Sequence, residues 1–186
     1  MAYLSAAQLE KLGFRKLGKE VRVSDKASIY NPELIELGDY TRIDDFCVVS
    51  GRVIFGKYNH ITPMCLVAGG EPGIEFADFC TLAYGVKIFA QSDDYSGATL
   101  TNSLIPKKYK DEKFAKVLLE RHVIVGAGAT IMPGTTIKEG CSIGAMALVT
   151  KSTDPWGIYV GIPAVRVKER KQDLLDLEKK FLGELK

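Results

Sequence analysis

The chain has 186 residues, 46% of them hydrophobic and 26% charged, which is enough for one well-buried core and too ordinary a composition for disorder. Its 25 basic and 23 acidic residues leave a net charge of +2, so no global field argues for nucleic acid or an anionic membrane surface. No stretch reaches the roughly 18 apolar residues of a membrane span, and the opening MAYLSAAQLEKLGF lacks the pattern of an export signal, so a soluble cytoplasmic protein is expected. From the N-terminus, Ser5 to Leu12 reads as a short helix capped by Ser5 or an adjacent residue. A large apolar residue then recurs every six positions, at Leu37, Ile43, Val49, Phe55 and Ile61; after an insertion around Gly69 to Gly73 the period resumes at Phe76, Leu82 and Ile88. Between Phe89 and Leu118 the period is lost, and SDDYSG followed by TNSLIPKKYKDEK reads as a long polar excursion. A loop of that length leaving a compact repeat is more often functional than idle. The period returns at Leu119, Val125, Ile131, Ile137, Ile143 and Val149, often with glycine after the aliphatic. Lys168 to Leu185 carries Leu174, Leu177, Phe181 and Leu185 three or four apart, the spacing of an amphipathic helix.

A period of six is neither the 3.6 of a helix nor the 2 of a strand. A three-sided coil accounts for it: each hexad supplies one short strand and one corner, three hexads make an 18-residue turn, and stacked turns pair as parallel strands. The expected fold is therefore an all-β solenoid, a parallel β-helix, with terminal helices closing its exposed ends. The expected organisation is an N-terminal helix and lead-in over 1–29, the β-helix over 30–167 with its excursion loop over 89–118, and the C-terminal amphipathic helix over 168–186. Cys47, Cys65, Cys80 and Cys141 each lie four residues after an inward apolar residue, in the slot where only a small side chain fits. They read as reduced, buried packing residues in a reducing compartment rather than as disulfides, metal ligands or a nucleophile.

The hexads, the excursion before the C-terminal repeats and the ending VGIPAVRVKER resemble the hexapeptide acyltransferases, which fold as a left-handed parallel β-helix. The resemblance covers roughly residues 30 to 170. The family's closing G-x-P-A-[KR] pattern is met by Gly161, Pro163 and Ala164, with Val165 where a basic residue is usual; Arg166 and Lys168 stand close enough to supply the charge. The resemblance implies a homotrimer with active sites in grooves between subunits and acetyl-CoA lying along the outside of the coils as acyl donor. It implies no metal. The SDDYSG loop and C-terminal helix look most like enzymes of surface-polysaccharide or O-antigen assembly, which implies a sugar acceptor.

Acyl transfer from a thioester needs the acceptor deprotonated as it attacks, and histidine is the natural base near neutral pH. The chain has two, His60 and His122. His60 immediately precedes inward Ile61, so alternation turns it outward onto a flat face. Its setting, YNHITPMC, resembles the segment around the catalytic histidine of bacterial amino-sugar N-acetyltransferases. His122 falls at a corner, where a polar side chain is usually solvated, and is the second candidate. Asp93 and Asp94, at the start of the excursion, are candidates to orient His60 across a subunit boundary or to hold the acceptor's amine or hydroxyls; equally they read as two solvated loop acids. Gly126, Ala127, Gly144 and Ala145 are small corner residues on successive turns and offer a path for the pantetheine arm, with Lys151, Arg166 and Lys168 beyond them for the phosphates. The same glycines and alanines also suffice simply to turn the coil.

The galactoside, maltose and streptogramin acetyltransferases carry their catalytic histidine in the long loop, and this loop has none. The preferred acceptor is therefore an amine on a nucleotide-linked amino sugar, with sugar O-acetylation second. A non-catalytic trimeric β-helix module is the rival from another class. A zinc enzyme of the γ-carbonic anhydrase kind needs three histidines per metal, and two per chain in different registers argue against it.

Overall fold

The computed structural model describes residues 2–185 and is a three-sided parallel β-solenoid. Each side is a stack of short strands with its inward residues in register. The first face stacks Leu17, Leu37, Phe55, Phe76, Leu119 and Ile137. The second stacks Val23, Ile43, Ile61, Leu82, Val125, Ile143 and Tyr159. The third stacks Ile29, Val49, Val67, Ile88, Ile131 and Val149. Nearly all of these side chains are fully buried, as the six-residue period requires. Val48–Phe55 and Leu66–Phe76 run through the third corner without a break, and the residues added around Gly69 to Gly73 are absorbed there as register shifts.

The corners demand an unusual backbone. Residues at the first corner, among them Tyr40, Tyr58, Phe79, His122 and Trp156, have φ between 56° and 60° or close to it, and Phe46, Met64 and Met146 repeat this at the second corner. A bulky residue in the left-handed region is normally an outlier; here each coil needs one to reverse direction, and the stacking of its neighbours offsets the cost. Tyr40, Tyr58, Phe79 and His122 form a ladder of rings 4.8, 4.9 and 5.3 Å apart up the first corner.

The four cysteines occupy the inward slot, all free and buried. Their thiols donate to carbonyls of the next coil where it turns: Cys47 to Thr62 at 3.1 Å, Cys65 to Ala83 at 3.2 Å, Cys80 to Glu120 at 3.2 Å and Cys141 to Asp154 at 3.0 Å. Burial pushes the Cys80 thiol up to about 12, so it stays protonated.

The ends depart from the expected boundaries. The solenoid starts before residue 30: Lys16–Leu17, Arg22–Val23 and Ser28–Tyr30 already pair as its first coil. That coil keeps the six-residue period at Leu17, Val23 and Ile29, but the 3-10 turn Pro32–Leu34 lengthens the step to Leu37 and puts it out of phase with the hexads that follow. The helix α1 (Ala6–Leu12) covers this end with Leu9 buried, and Ser5 and Gln8 form its capping box. At the other end the helix does not begin at 168. Val165–Glu169 alternates apolar and charged residues, the strand period, and pairs antiparallel with Gly157–Val160. Helix α2 (Leu174–Glu184) then turns back against the first corner, with Phe181 edge-on to Tyr58 and Phe79. It flanks the solenoid instead of closing its end.

Two outcomes follow. Gly51 has φ 72°, and an added Cβ would sit 2.5 Å from the Gly70 backbone nitrogen, whereas Gly97 has φ 84° with nothing within 4 Å. Gly51→Ala should lower unfolding free energy by about 2 to 4 kcal/mol and Gly97→Ala by about 1 kcal/mol, measured by guanidinium denaturation. The cysteines should be silent to a thiol-reactive dye in the native protein and all titrate once it is unfolded; reaction of the native protein at the rate of an exposed thiol would contradict their packing role.

Candidate active site

His60 and Arg42 stand side by side on the outside of the second face, because one 18-residue turn separates them and adjacent coils pair in register. Asp44 follows Ile43 where the chain leaves that face, and its side chain is only 2% exposed. His60 Nε2 lies 2.9 Å from Asp44 Oδ2, while Arg42 donates to the same carboxylate from Nε at 2.7 Å and from Nη2 at 3.1 Å. The Tyr3 hydroxyl reaches Oδ1 at 3.3 Å, and the Arg42 guanidinium lies over the Tyr3 ring. Burial alone would push the Asp44 carboxyl up, but the bonds from Arg42 and His60 outweigh it and hold the group below the ordinary carboxylate range.

The other histidine is differently employed. His122 is 7% exposed, stacked on Phe79, with Nε2 2.9 Å from Glu178 Oε2 of α2, and Arg121 pairs with the same glutamate. The expectation of a solvated corner histidine is corrected: the returning helix covers it, and its ring nitrogen is committed to holding that helix.

The excursion folds as a small unit. Gln91–Ser92 pairs with Lys113–Phe114, and a turn of 3-10 helix spans Lys107–Tyr109. Asp94 builds the bend between them, accepting from the Ser96 amide at 2.8 Å, the Ser96 hydroxyl at 3.0 Å and the Thr99 hydroxyl at 3.0 Å. The Ser96 amide and hydroxyl hold its carboxyl below the usual range. Asp93 instead lines a cleft of about 500 Å³ between the loop and the third face, together with Gln91, Tyr95, Glu112, Thr130 and Met132. No residue of that cleft lies on the second face, so within one chain Asp93 is not brought to His60, and Asp44 holds the place expected of it.

Gly126, Ala127, Gly144 and Ala145 lie on neighbouring coils at the second corner, with both alanines exposed. The glycines have a packing reason of their own: a Cβ on Gly126 would meet the Ala145 nitrogen at 2.5 Å, and one on Gly144 would meet Val160 Cγ1 at 2.8 Å. The three cations do not converge. Arg166 and Lys168 lie on the strand that extends the second face, Arg166 already paired with Glu169 at 2.6 Å and facing Asp154, while Lys151 is exposed just past the third face.

Arg42, Asp44 and Tyr3 were not singled out from the sequence. The signal was present for two of them: His60 minus one 18-residue turn is Arg42, and R-I-D sets an acid two positions on. Tyr3 arrives only through the tertiary path of the N-terminus. Among the described residues no group of three or more His, Cys, Asp or Glu is placed to hold a metal ion, and no helix is long and apolar enough to cross a membrane.

Residues 116–151 match the family model for bacterial transferase hexapeptide repeats. The dTDP-4-amino-4,6-dideoxy-D-glucose acyltransferase of Escherichia coli is 35% identical over 97% of this chain and 95% of its own length. AntD, an N-acyltransferase from Bacillus cereus solved in complex with dTDP and 3-hydroxybutyryl-CoA, is 45% identical with a TM-score of 0.97, covering 98% of this chain and 97% of that one. A variant of AntD was solved with dTDP-4-amino-4,6-dideoxyglucose and coenzyme A. A maltose O-acetyltransferase from Clostridium difficile 630, at 21% identity and a TM-score of 0.56, shares the fold alone. With likeness running the full length of both chains, a repeat matched by the family model and a three-sided coil carrying it, this protein belongs to the hexapeptide-repeat acyltransferases and has their left-handed parallel β-helix fold.

Proposed function

We propose that the chain transfers an acyl group, acetyl in the first instance, from coenzyme A to the amino group of a nucleotide-linked amino sugar, as a cytoplasmic homotrimer serving bacterial surface-polysaccharide synthesis. The observation that carries this reading is the end-to-end similarity to enzymes named for, or solved with, dTDP-4-amino-4,6-dideoxyglucose. The cleft beside the excursion supports it: the Asp93 carboxylate that lines it suits an ammonium, through a charge-assisted hydrogen bond, better than it suits a neutral hydroxyl. Buried, reduced cysteines suit a reducing compartment.

In the proposed reaction the amine nitrogen attacks the thioester carbonyl, a C–N bond forms, the C–S bond breaks and one proton leaves the nitrogen. His60 takes that proton and passes it to the departing thiolate. Asp93 gathers the amine, Asp94 keeps the loop folded, and the exposed Ala127 and Ala145 leave the second corner low enough for the pantetheine arm, with Lys151, Arg166 and Lys168 meeting its phosphates. Subunit contact joins the loop of one copy to the His60 face of the next.

Release of coenzyme A from acetyl-CoA should depend on dTDP-4-amino-4,6-dideoxyglucose and be absent with the matching 4-hydroxy sugar; equal release with the hydroxy sugar would favour O-acylation. His60→Ala should cut turnover by about 10² to 10⁴ while acetyl-CoA binding by calorimetry persists. Of the two loop acids, Asp93→Asn should lower kcat/KM at least about tenfold with the fold intact, whereas Asp94→Asn should first raise the susceptibility of the loop to proteolysis. The same kinetic loss with unchanged proteolysis in both variants would remove the division between them.

A further inference from the structure

The proposed base has a partner within its own chain. Asp44 is nearly inaccessible, and its two oxygens face Arg42 Nε at 2.7 Å, Arg42 Nη2 at 3.1 Å, the Tyr3 hydroxyl at 3.3 Å and His60 Nε2 at 2.9 Å. A carboxylate paired in this way with an arginine is ionised, and an ionised carboxylate can only accept hydrogen bonds. The ring nitrogen facing it must then carry a hydrogen. That selects the His60 tautomer with Nε2–H and leaves the lone pair on Nδ1, to which no described residue is bonded. His60 is 37% exposed at its side chain, so the ring is held from the buried side and reachable from the other.

We infer that Asp44 is a positioning residue for acyl transfer: it fixes the orientation and tautomer of His60 so that Nδ1 is the atom that receives the proton of the attacking amine, and Arg42 keeps Asp44 in place. This rests on the acyltransferase reading above. The proton leaves the amine for Nδ1 as the C–N bond forms. The resulting imidazolium keeps its Nε2–H against the Asp44 carboxylate, and Nδ1–H is then given to the thiolate as the C–S bond breaks, which returns His60 to its neutral state. No further reactant is needed. A carboxylate that oriented the base from another subunit would have to displace Asp44, and the Arg42 pair opposes that.

The test combines a spectrum with kinetics. The chain has only two histidines, so nitrogen-15 histidine labelling gives two ring systems, and loss of one set in His60→Gln assigns them. The neutral His60 ring of the wild type should show a protonated Nε2 and an unprotonated Nδ1. Asp44→Asn should mix or invert that pattern and lower kcat by about 10²-fold or more, with the KM values for donor and acceptor little changed and the melting curve close to wild type. Arg42→Lys, which keeps a cation on Asp44, should retain the tautomer. A wild-type ring protonated at Nδ1 would overturn the inference without any variant, as would Asp44→Asn turning over like wild type despite a changed ring, or losing turnover in a His60→Ala background as well. Absence of acceptor-dependent release by the wild type would instead sink the functional reading, and the tautomer would still decide whether Asp44 sets the ring.

Discussion

Parallel hydrogen bonding between successive coils is the constraint from which the rest of this structure follows. Each strand is only two or three residues long over most of the solenoid, too short to be stable alone, so it exists because the coils on either side fix its register. Register in turn dictates that one large apolar side chain per strand points inward and stacks on its equivalents, Ile43 on Ile61 on Leu82 on Val125. A one-residue slip would turn that column outward and bring polar neighbours into the interior. Extra residues can therefore only be added at corners, directed away from the axis. The insertion near Gly70 and the excursion after Phe89 both obey this, and Leu82 pairs with Val125 across the excursion as if the chain had never left.

The same rule organises the outer surface. Coils about 4.8 Å apart place every outward residue beside its equivalent one turn away, so functional groups are arranged in columns that the sequence writes at a fixed interval. Arg42 and His60 are one such pair, and the ring ladder from Tyr40 to His122 is another. The two histidines illustrate how position within the hexad decides a role. His60, before an inward residue, lies flat on a face and meets a buried acid; His122, at a corner, is covered by the returning α2 and serves as its anchor through Glu178.

The middle of the chain was legible in the sequence because its signal is periodic and local. The hexads, the inward cysteines and the outward setting of His60 all follow from counting six. What was not legible depends on tertiary path. The first coil carries the period at Leu17, Val23 and Ile29 but is set out of phase with Leu37 by the 3-10 turn Pro32–Leu34, Val165–Glu169 is strand because Gly157–Val160 offers it an edge, and α2 lies where it does because aromatic rings on the first corner receive Phe181. Asp93 and Asp94 are identical in composition and adjacent in sequence, yet one is consumed by Ser96 and Thr99 and the other faces a cleft; only the fold of the loop separates them. The carboxylate beside His60 was readable in principle from the 18-residue interval, but an acid at a corner is ordinary in such repeats and carries no mark until its distance to the ring is known.

The excursion has a consequence for how such a protein changes over generations. Because the stack re-pairs across it, residues 90 to 116 contribute almost nothing to the continuity of the core beyond Ala90, and the solenoid tolerates rewriting there as a bench vice tolerates a change of jaws. The coils are held under strict volume and register limits, whereas the loop is bounded only at its two roots, where Gln91–Ser92 meets Lys113–Phe114. Changes of sequence and length can then be taken up in this one stretch without breaking the register of the coils on either side.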